Sequence, residues 1–334
     1  MSVLTLTLAT WDYDRTRPLL DGRVRVPGCQ IVPVVMRSED LFPRAFSRAE
    51  FDVSELSLSS HLLQLSRGRA DYVALPVFVS RAFRHGSIYV RTDRGIDRPI
   101  DLEGKTVGVP EFQMTLALWV RGILQDEFGV DFRKMRWRTG GTNVPGRKER
   151  LPLDLPSEID VQSIEADRSL NELLAAGELD AVISPSPPDL FARGDPRVRR
   201  LFQDSRETER AYFRKTGYFP IMHLIGLRKS LVADHPGVAA QLFAAFSDAK
   251  RIAVAELDAA ARASANRTML PWLAEELEAT KALMGPDPWR YGVAANRVQL
   301  EAICRWSAEQ HLSKRRLEVD ELFAEETLQL ADDG

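Results

Sequence analysis

Asp101–Leu124, DLEGKTVGVPEFQMTLALWVRGIL, reads as strand, loop and helix in immediate succession. Thr106–Val109 is a short β-branched run behind Gly104, and Pro110 ends it because proline has no amide hydrogen to give to a ladder. From Thr115 onward the apolar residues Leu116, Trp119, Val120, Ile123 and Leu124 recur at helical spacing. Glu111, Phe112, Gln113 and Met114 therefore lie between the carboxyl end of a strand and the first turn of a helix that begins at Thr115. Amides at such a turn lack intrahelical partners, and together with the helix dipole they suit a carboxylate or phosphate. In open α/β sheets, ligands sit at the carboxyl ends of strands. The plain alternative is a surface connection with no ligand, and this segment alone favours neither.

The 334 residues exceed the ~100–200 of one typical domain, which predicts two lobes sharing a cleft. Hydrophobic residues make up 44% and charged residues 28%, with a formal net charge of −3. That is the composition of an ordinary globular chain, and no basic tail points to nucleic acid. No run approaches the ~20 apolar residues of a membrane helix. The start, MSVLTLTLATWDYDRT, alternates like a strand and carries neither a basic n-region nor a long apolar h-region, so a cytoplasmic location is expected. Cys29 and Cys304 form no metal-ligand spacing and are expected to be free thiols.

Leu4–Ala9 and Cys29–Val35 read as strands, Ser38–Ser47 as a helix, and Phe51–Leu56 as a further strand whose trailing serines Ser57, Ser59 and Ser60 are placed to cap the helix after them. Tyr72–Val79 and Ser87–Val90 add strand-like runs, and alternation with helices predicts parallel pairing. A second lobe opens near Pro99 and includes Val161–Ile164, Ser169–Ala176 and Ala181–Ser184. Within it, Thr139–Pro156 is rich in glycine, proline and charge and reads as a surface flap. Pro185–Thr216 reads as a second long connection, and the chain then returns through TGYFPIMHLIGLRK into a largely helical remainder. The expected architecture is α/β, with residues 1–95 and 215–334 forming a discontinuous first lobe that carries the C-terminal helices, and residues 96–214 forming the second. Two hinged lobes around a central cleft are the architecture of type II periplasmic binding proteins, and such lobes can exclude water around a small ligand.

Two polar clusters stand out. Arg81, Arg84 and His85 follow an apolar strand just before the first crossing; arginine matches a carboxylate bidentately and histidine exchanges protons near neutrality. Arg91 and Arg94 follow, so a solvated basic turn is the competing explanation. His223 sits in an apolar run beside Phe219 and Met222 near the return crossing; an isolated histidine there is more often buried and satisfied by backbone. Trp11 and Asp12, with Tyr13, end the first strand, and Glu55, Ser57 and Ser59 end another, so both groups are expected to face one crevice or simply to cap their loops. The sequence has no zinc spacing, no GxSxG, no P-loop and no complete dinucleotide fingerprint.

Five segments, SRAFRHGSIYVR (80–91), GKTVGVPEFQMTLALWVRGILQDEFGV (104–130), WRTGGTNVPGRKER (137–150), TGYFPIMHLIGLRK (216–229) and LMGPDPWRYGVAANR (283–297), taken in order resemble the 4,5-dihydroxyphthalate decarboxylase family. The resemblance implies the two-lobed binding-protein fold and a non-oxidative decarboxylation of a hydroxylated aromatic carboxylate. It would leave 3,4-dihydroxybenzoate and carbon dioxide. For that reaction the expected proton-transfer pair is His85 and His223, with Arg81 or Arg84 on the retained carboxylate. The turn Glu111, Phe112, Gln113, Met114 and Thr115 is expected to hold substrate polar groups, and Trp11, Phe112 and Phe219 to form aromatic walls, with Asp12 and Ser57 at the crevice edge. An ionised Glu111 beside two substrate carboxylates would repel them. No cofactor is expected, although a loosely held divalent metal is left open. The expected partner is a small aromatic carboxylate, with no nucleic acid and no membrane, and homo-oligomerisation is left open. The alternative reading is a non-catalytic binding protein for a small carboxylate or aromatic anion, using the same cleft.

Overall fold

The structure, a computed structural model, describes residues 3–332. The chain runs through β1 (Leu4–Thr10), α1 (Arg17–Leu20), β2 (Cys29–Val35), α2 (Ser38–Arg48), β3 (Val53–Ser57), α3 (Leu58–Ser66), β4 (Tyr72–Arg81) and β5 (Ile88–Arg91). It continues with β6 (Thr106–Val109), α4 (Thr115–Phe128), β7 (Arg136–Thr139), β8 (Val161–Ser163), α5 (Leu170–Ala176) and β9 (Ala181–Ile183). Next come α6 (Asp189–Ala192), β10 (Val198–Arg200), α7 (Ser205–Thr216) and β11 (Ile221–Arg228), followed by α8 (Lys229–Asp234), α9 (Val238–Ala261), α10 (Leu273–Met284) and α11 (Arg297–Glu309). The opening segment folds as read: β6 stops before Pro110, and α4 begins at Thr115 and ends where Gly129 takes the left-handed conformation, φ 68°.

The strands form two sheets, ordered β2-β1-β3-β11-β4 and β10-β5-β9-β6-β7-β8. Both are mixed, so the parallel expectation needs correction. β1 pairs parallel with β2 and β3, but β11 runs antiparallel to β3 and β4, and β5 runs antiparallel to β9 and β10. Each reversed strand lies beside a crossing between the sheets and enters its sheet from the opposite end. The first crossing occupies residues 82–87, because β5 already belongs to the second sheet. That is short of the boundary expected at residue 95. Pro185–Thr216, read as a connection, carries α6, β10 and α7. α7 buries only Tyr212, so its charged sequence leaves no apolar stripe to announce a helix.

α4 belongs to the second sheet by sequence and packs against α11 from the chain's last third. Trp119 and Trp306 meet edge to face at 5.2 Å, and a Cβ on Gly122 would lie 2.2 Å from Trp306 Cδ2, so only glycine permits this approach. Trp119 Nε1 also donates to the Ile221 carbonyl at 2.8 Å, tying α4 to β11 of the first sheet. The final helices therefore span both sheets instead of returning to the first alone. No helix among the described residues is long and apolar enough to cross a membrane.

Candidate functional site

His223 lies on β11 and Glu55 on β3, neighbouring antiparallel strands in which His223 faces Ser57 and Ile225 faces Glu55. The two side chains are thus diagonal neighbours on one face of the sheet, within reach of each other. The β11–β4 ladder is irregular on both sides of His223, and such bulges re-aim side chains. His223 Nδ1 lies 2.6 Å from Glu55 Oε1, which also accepts from the Tyr13 hydroxyl at 2.7 Å. Glu55 Oε2 accepts from the Trp11 amide at 2.9 Å and Thr10 Oγ1 at 3.0 Å. Burial by itself would raise the Glu55 carboxyl, but the hydrogen bond and charge of His223, with the Trp11 amide and Tyr13 hydroxyl, hold it below the ordinary carboxylate range. Burial, with the charge and hydrogen bond of Glu55, pushes the Tyr13 hydroxyl up, so it stays a donor. A carboxylate against Nδ1 selects the tautomer that presents Nε2 on the opposite side of the ring. This pairing orients a histidine for proton transfer.

The remaining site wall is a polar seam between the sheets. Ser57 Oγ meets Thr115 Oγ1 at 3.1 Å, the Ser59 amide donates to the same oxygen at 3.1 Å, and Ser59 Oγ donates to the Gln113 carbonyl. Ser57 stands at the helix start without making a side-chain cap, contrary to its expected role, because Thr115 takes its hydroxyl. The flap lies over this seam. Glu111, almost fully buried, accepts through Oε1 from Arg147 at 2.7 and 2.9 Å and from Arg150 at 3.0 Å. The repulsion expected from Glu111 is therefore offset by two cations. The flap's own Glu149 accepts from the Phe112 amide and, at 3.5 Å, from the Gln113 amide, so the donors expected to meet a ligand meet an internal carboxylate. Burial and the nearby charge of Glu111, opposed by the Phe112 amide, push Glu149 up to about 7. Between flap and α2 is a cavity of about 340 Å³, lined by Glu39, Pro43 and Phe46 on one side and Glu111, Lys148 and Arg150 on the other. The adjacent Phe42 ring meets His223 edge-on at 4.9 Å and lies 5.0 Å from the Arg150 guanidinium.

Other expected residues stand elsewhere. His85 is buried against Phe202 and Tyr212, its Nδ1 without a partner among the described residues, and burial lowers it to about 4. Its ring packs on Phe202 and Tyr212, whereas that of His223 meets Phe42 and Glu55. Arg81 gives its donors to the carbonyls of Phe219 (3.1 Å) and Arg290 (2.7 Å) and to Asn296 Oδ1 (2.7 Å), and burial lowers it to about 9. Arg81→Ala is therefore expected to cost about 2–4 kcal/mol of stability by stranding buried acceptors, read as a lower denaturant midpoint. Retained stability in that variant would return Arg81 to the clamp role. Arg84 donates through Nε to Met222 Sδ at 3.2 Å, beside His223 in sequence, and burial lowers it to about 10. Phe112 is a core residue under the Arg121 guanidinium, 3.8 Å away, and lines no wall. Asp12 is tied to Arg17 at the surface, while Trp11 is half-exposed and packs on Tyr13. Phe219 stacks on Phe83 at 4.9 Å and meets Trp289 at 5.2 Å, and Met114 is partly buried. Among the described residues no group of three or more His, Cys, Asp or Glu is placed to hold a metal ion.

Glu55 was expected at the crevice but given no chemical role, and Phe42 was passed over. Glu55 carried a signal: a lone carboxylate inside VSELS, near the end of a buried strand, demands a donor from another element. Phe42 carried none, since its spacing on α2 is that of a core residue.

This chain is 42% identical over 323 residues, 97% of each chain, to a protein from Comamonas testosteroni named 4,5-dihydroxyphthalate decarboxylase. A protein of the same name from Pseudomonas putida is 42% identical over 218 residues, covering 65% of this chain and 84% of that one. Among solved structures, the aliphatic sulphonate binding protein SsuA from Escherichia coli superposes with a TM-score of 0.54 at 13% identity, over 96% of this chain and 92% of that one. The alkanesulfonate-binding SsuA from Xanthomonas axonopodis pv. citri, bound to MOPS, gives 0.53 at 14%, over 97% and 98%. The fold is thus the periplasmic-binding-protein-like one expected, with two α/β lobes and C-terminal helices. No family model matches the chain.

Proposed function

The chain belongs to the 4,5-dihydroxyphthalate decarboxylase family, and from that membership we propose that it removes one carboxylate from 4,5-dihydroxyphthalate without oxidation, giving 3,4-dihydroxybenzoate and carbon dioxide. It is a carboxy-lyase, and the binding-protein alternative is not favoured. Each carboxylate of this substrate is para to a phenol. Electron density released at the phenol oxygen therefore arrives at the carbon bearing the departing carboxylate, which must gain a proton as it loses carbon dioxide. The observation that carries the mechanism is the 2.6 Å contact between Glu55 and His223. Glu55 fixes the ring, while Nε2 delivers the proton to the ring carbon. Arg84, whose Nε meets only the sulfur of Met222 at 3.2 Å, supports the retained carboxylate. The seam of Ser57, Gln113 and Thr115 limits water at the reacting carbon.

Incubation with 4,5-dihydroxyphthalate should release carbon dioxide and 3,4-dihydroxybenzoate in equal amounts, while phthalate without hydroxyls should bind and stay intact. Tight binding of both with no carbon dioxide from either would replace this reading with the binding-protein one.

A further inference from the structure

Glu111 holds a buried carboxylate oxygen that no contact explains. Its Oε1 serves Arg147 and Arg150, whereas Oε2 has no hydrogen-bond partner among the described residues although Glu111 is only 2% exposed. An unsatisfied buried acceptor is costly and calls for a donor that arrives with a ligand. Glu111 lines the cavity of about 340 Å³ under the flap, room enough for a small aromatic diacid.

Two routes connect this cavity to His223. Along α2, the Glu39–Pro43–Phe46 face that lines it also carries Phe42, whose ring contacts both His223 and Arg150. Through the seam, Arg150 Nη1 donates to Ser60 Oγ at 3.3 Å, Ser60 to Ser57 Oγ at 3.3 Å, and Ser57 stands opposite His223 in the sheet. Phe42 is thus shared between Arg150 at the cavity and His223, and the seam links Arg150, the partner of Glu111, to the residue opposite His223. The chemistry needs two separate groups, because a phenol oxygen and the ring carbon para to it lie at opposite ends of the arene and one residue cannot serve both.

Resting on the decarboxylase reading above, we propose that Glu111 is a catalytic base that takes the phenol proton through Oε2 while His223 protonates the para carbon. The phenol O–H bond breaks, its proton passes to Oε2, and the oxygen electron pair enters the ring. The Nε2–H bond of protonated His223 breaks as a C–H bond forms at the carbon bearing the carboxylate. The bond to that carboxylate then breaks, its electron pair restores the aromatic ring, and carbon dioxide leaves. Glu111 returns its proton to the phenolate and His223 regains one from water, so each turnover consumes one proton. Arg147 and Arg150 offset the repulsion between Glu111 and a dianionic substrate, and they also stabilise the phenolate.

Glu111→Gln removes the base. Its turnover of 4,5-dihydroxyphthalate is expected to fall about 10²–10⁴-fold, with phthalate still bound. A ring-fluorinated 4,5-dihydroxyphthalate has more acidic phenols, so its deficit in the variant should be smaller by at least about tenfold, a readout that a purely structural role would not move. Glu111→Asp keeps a carboxylate for the arginines but withdraws it from the substrate; it should show a smaller deficit with the same trend, and it carries the test if the Gln variant does not fold. Turnover within about threefold of the parent protein, or equal deficits on both substrates, overturns the role of Glu111 and leaves the decarboxylase reading standing. Parent protein that releases no carbon dioxide from either compound overturns both.

Discussion

His223→Asn is expected to lower the turnover number for 4,5-dihydroxyphthalate by about 10²–10⁴-fold while binding of phthalate stays within about threefold. Asparagine retains a polar side chain that can face Glu55, so the buried carboxylate keeps a donor and the fold is spared. It has no proton to deliver at neutral pH, so the loss falls on the chemical step. Glu55→Gln should lie between this variant and the parent protein, because the ring keeps a hydrogen-bond partner but loses the adjacent negative charge. Single-turnover measurements separate the chemical step from product release. Near-normal turnover in His223→Asn would remove the histidine from the mechanism whatever its contacts.

The second large expected effect is a loss of stability as pH falls from about 6.5 to about 4. His61 and His85 are both buried, and burial lowers each from 6.5 to about 4. The folded chain keeps both rings neutral through this window while the unfolded chain binds protons. Their stabilising contribution is therefore complete above 6.5 and lost as pH falls through the folded values. At about 1.4 kcal/mol per pH unit, each histidine accounts for on the order of 3 kcal/mol, against a typical total of about 5–15 kcal/mol. Glu149 acts in the opposite sense. Its carboxyl is raised from 4.5 to about 7, so it favours the folded state as pH falls and loses that contribution as pH rises through 7. Urea unfolding at several pH values, for the parent protein and for a His61→Phe/His85→Phe double variant, isolates the histidines. With both histidines gone only the opposing contribution of Glu149 remains of these three groups, so between about 6.5 and 4.5 the double variant should gain stability as pH falls where the parent loses it, and an unchanged slope would show that neither ring stays neutral in the fold.

The sequence located elements better than side-chain partners. β6 and α4 were readable because Pro110 terminates one and a five-residue apolar series marks the other, both local effects. α7 was unreadable because a helix that buries one tyrosine has no periodicity to detect. At the site, His223 was identifiable by chemistry, but its partner Glu55 lies on a strand 168 residues away, and their pairing depends on the register of β11 against β3. His85 and Arg81 looked equivalent to their neighbours in sequence. Only tertiary packing shows one enclosed by aromatic rings and the other used up on backbone carbonyls. The turn before α4 was read as a place for a ligand's polar groups, whereas the carboxylate that meets the Phe112 amide belongs to Glu149 of the chain itself.

The tryptophan contact between α4 and α11 also limits how far the polar seam can part. Thr115, the first residue of α4, is in the polar seam, and Trp119, four residues on, is the point where the helix is clasped to both β11 and α11. Polar contacts exchange for water at little cost, whereas a close-packed apolar clasp resists separation, so the seam yields first and the clasp acts as the fulcrum. At 1.5 Å per residue the lever from fulcrum to seam is only about 6 Å long. A modest tilt about so short an arm parts the seam by a slit and not by a gape.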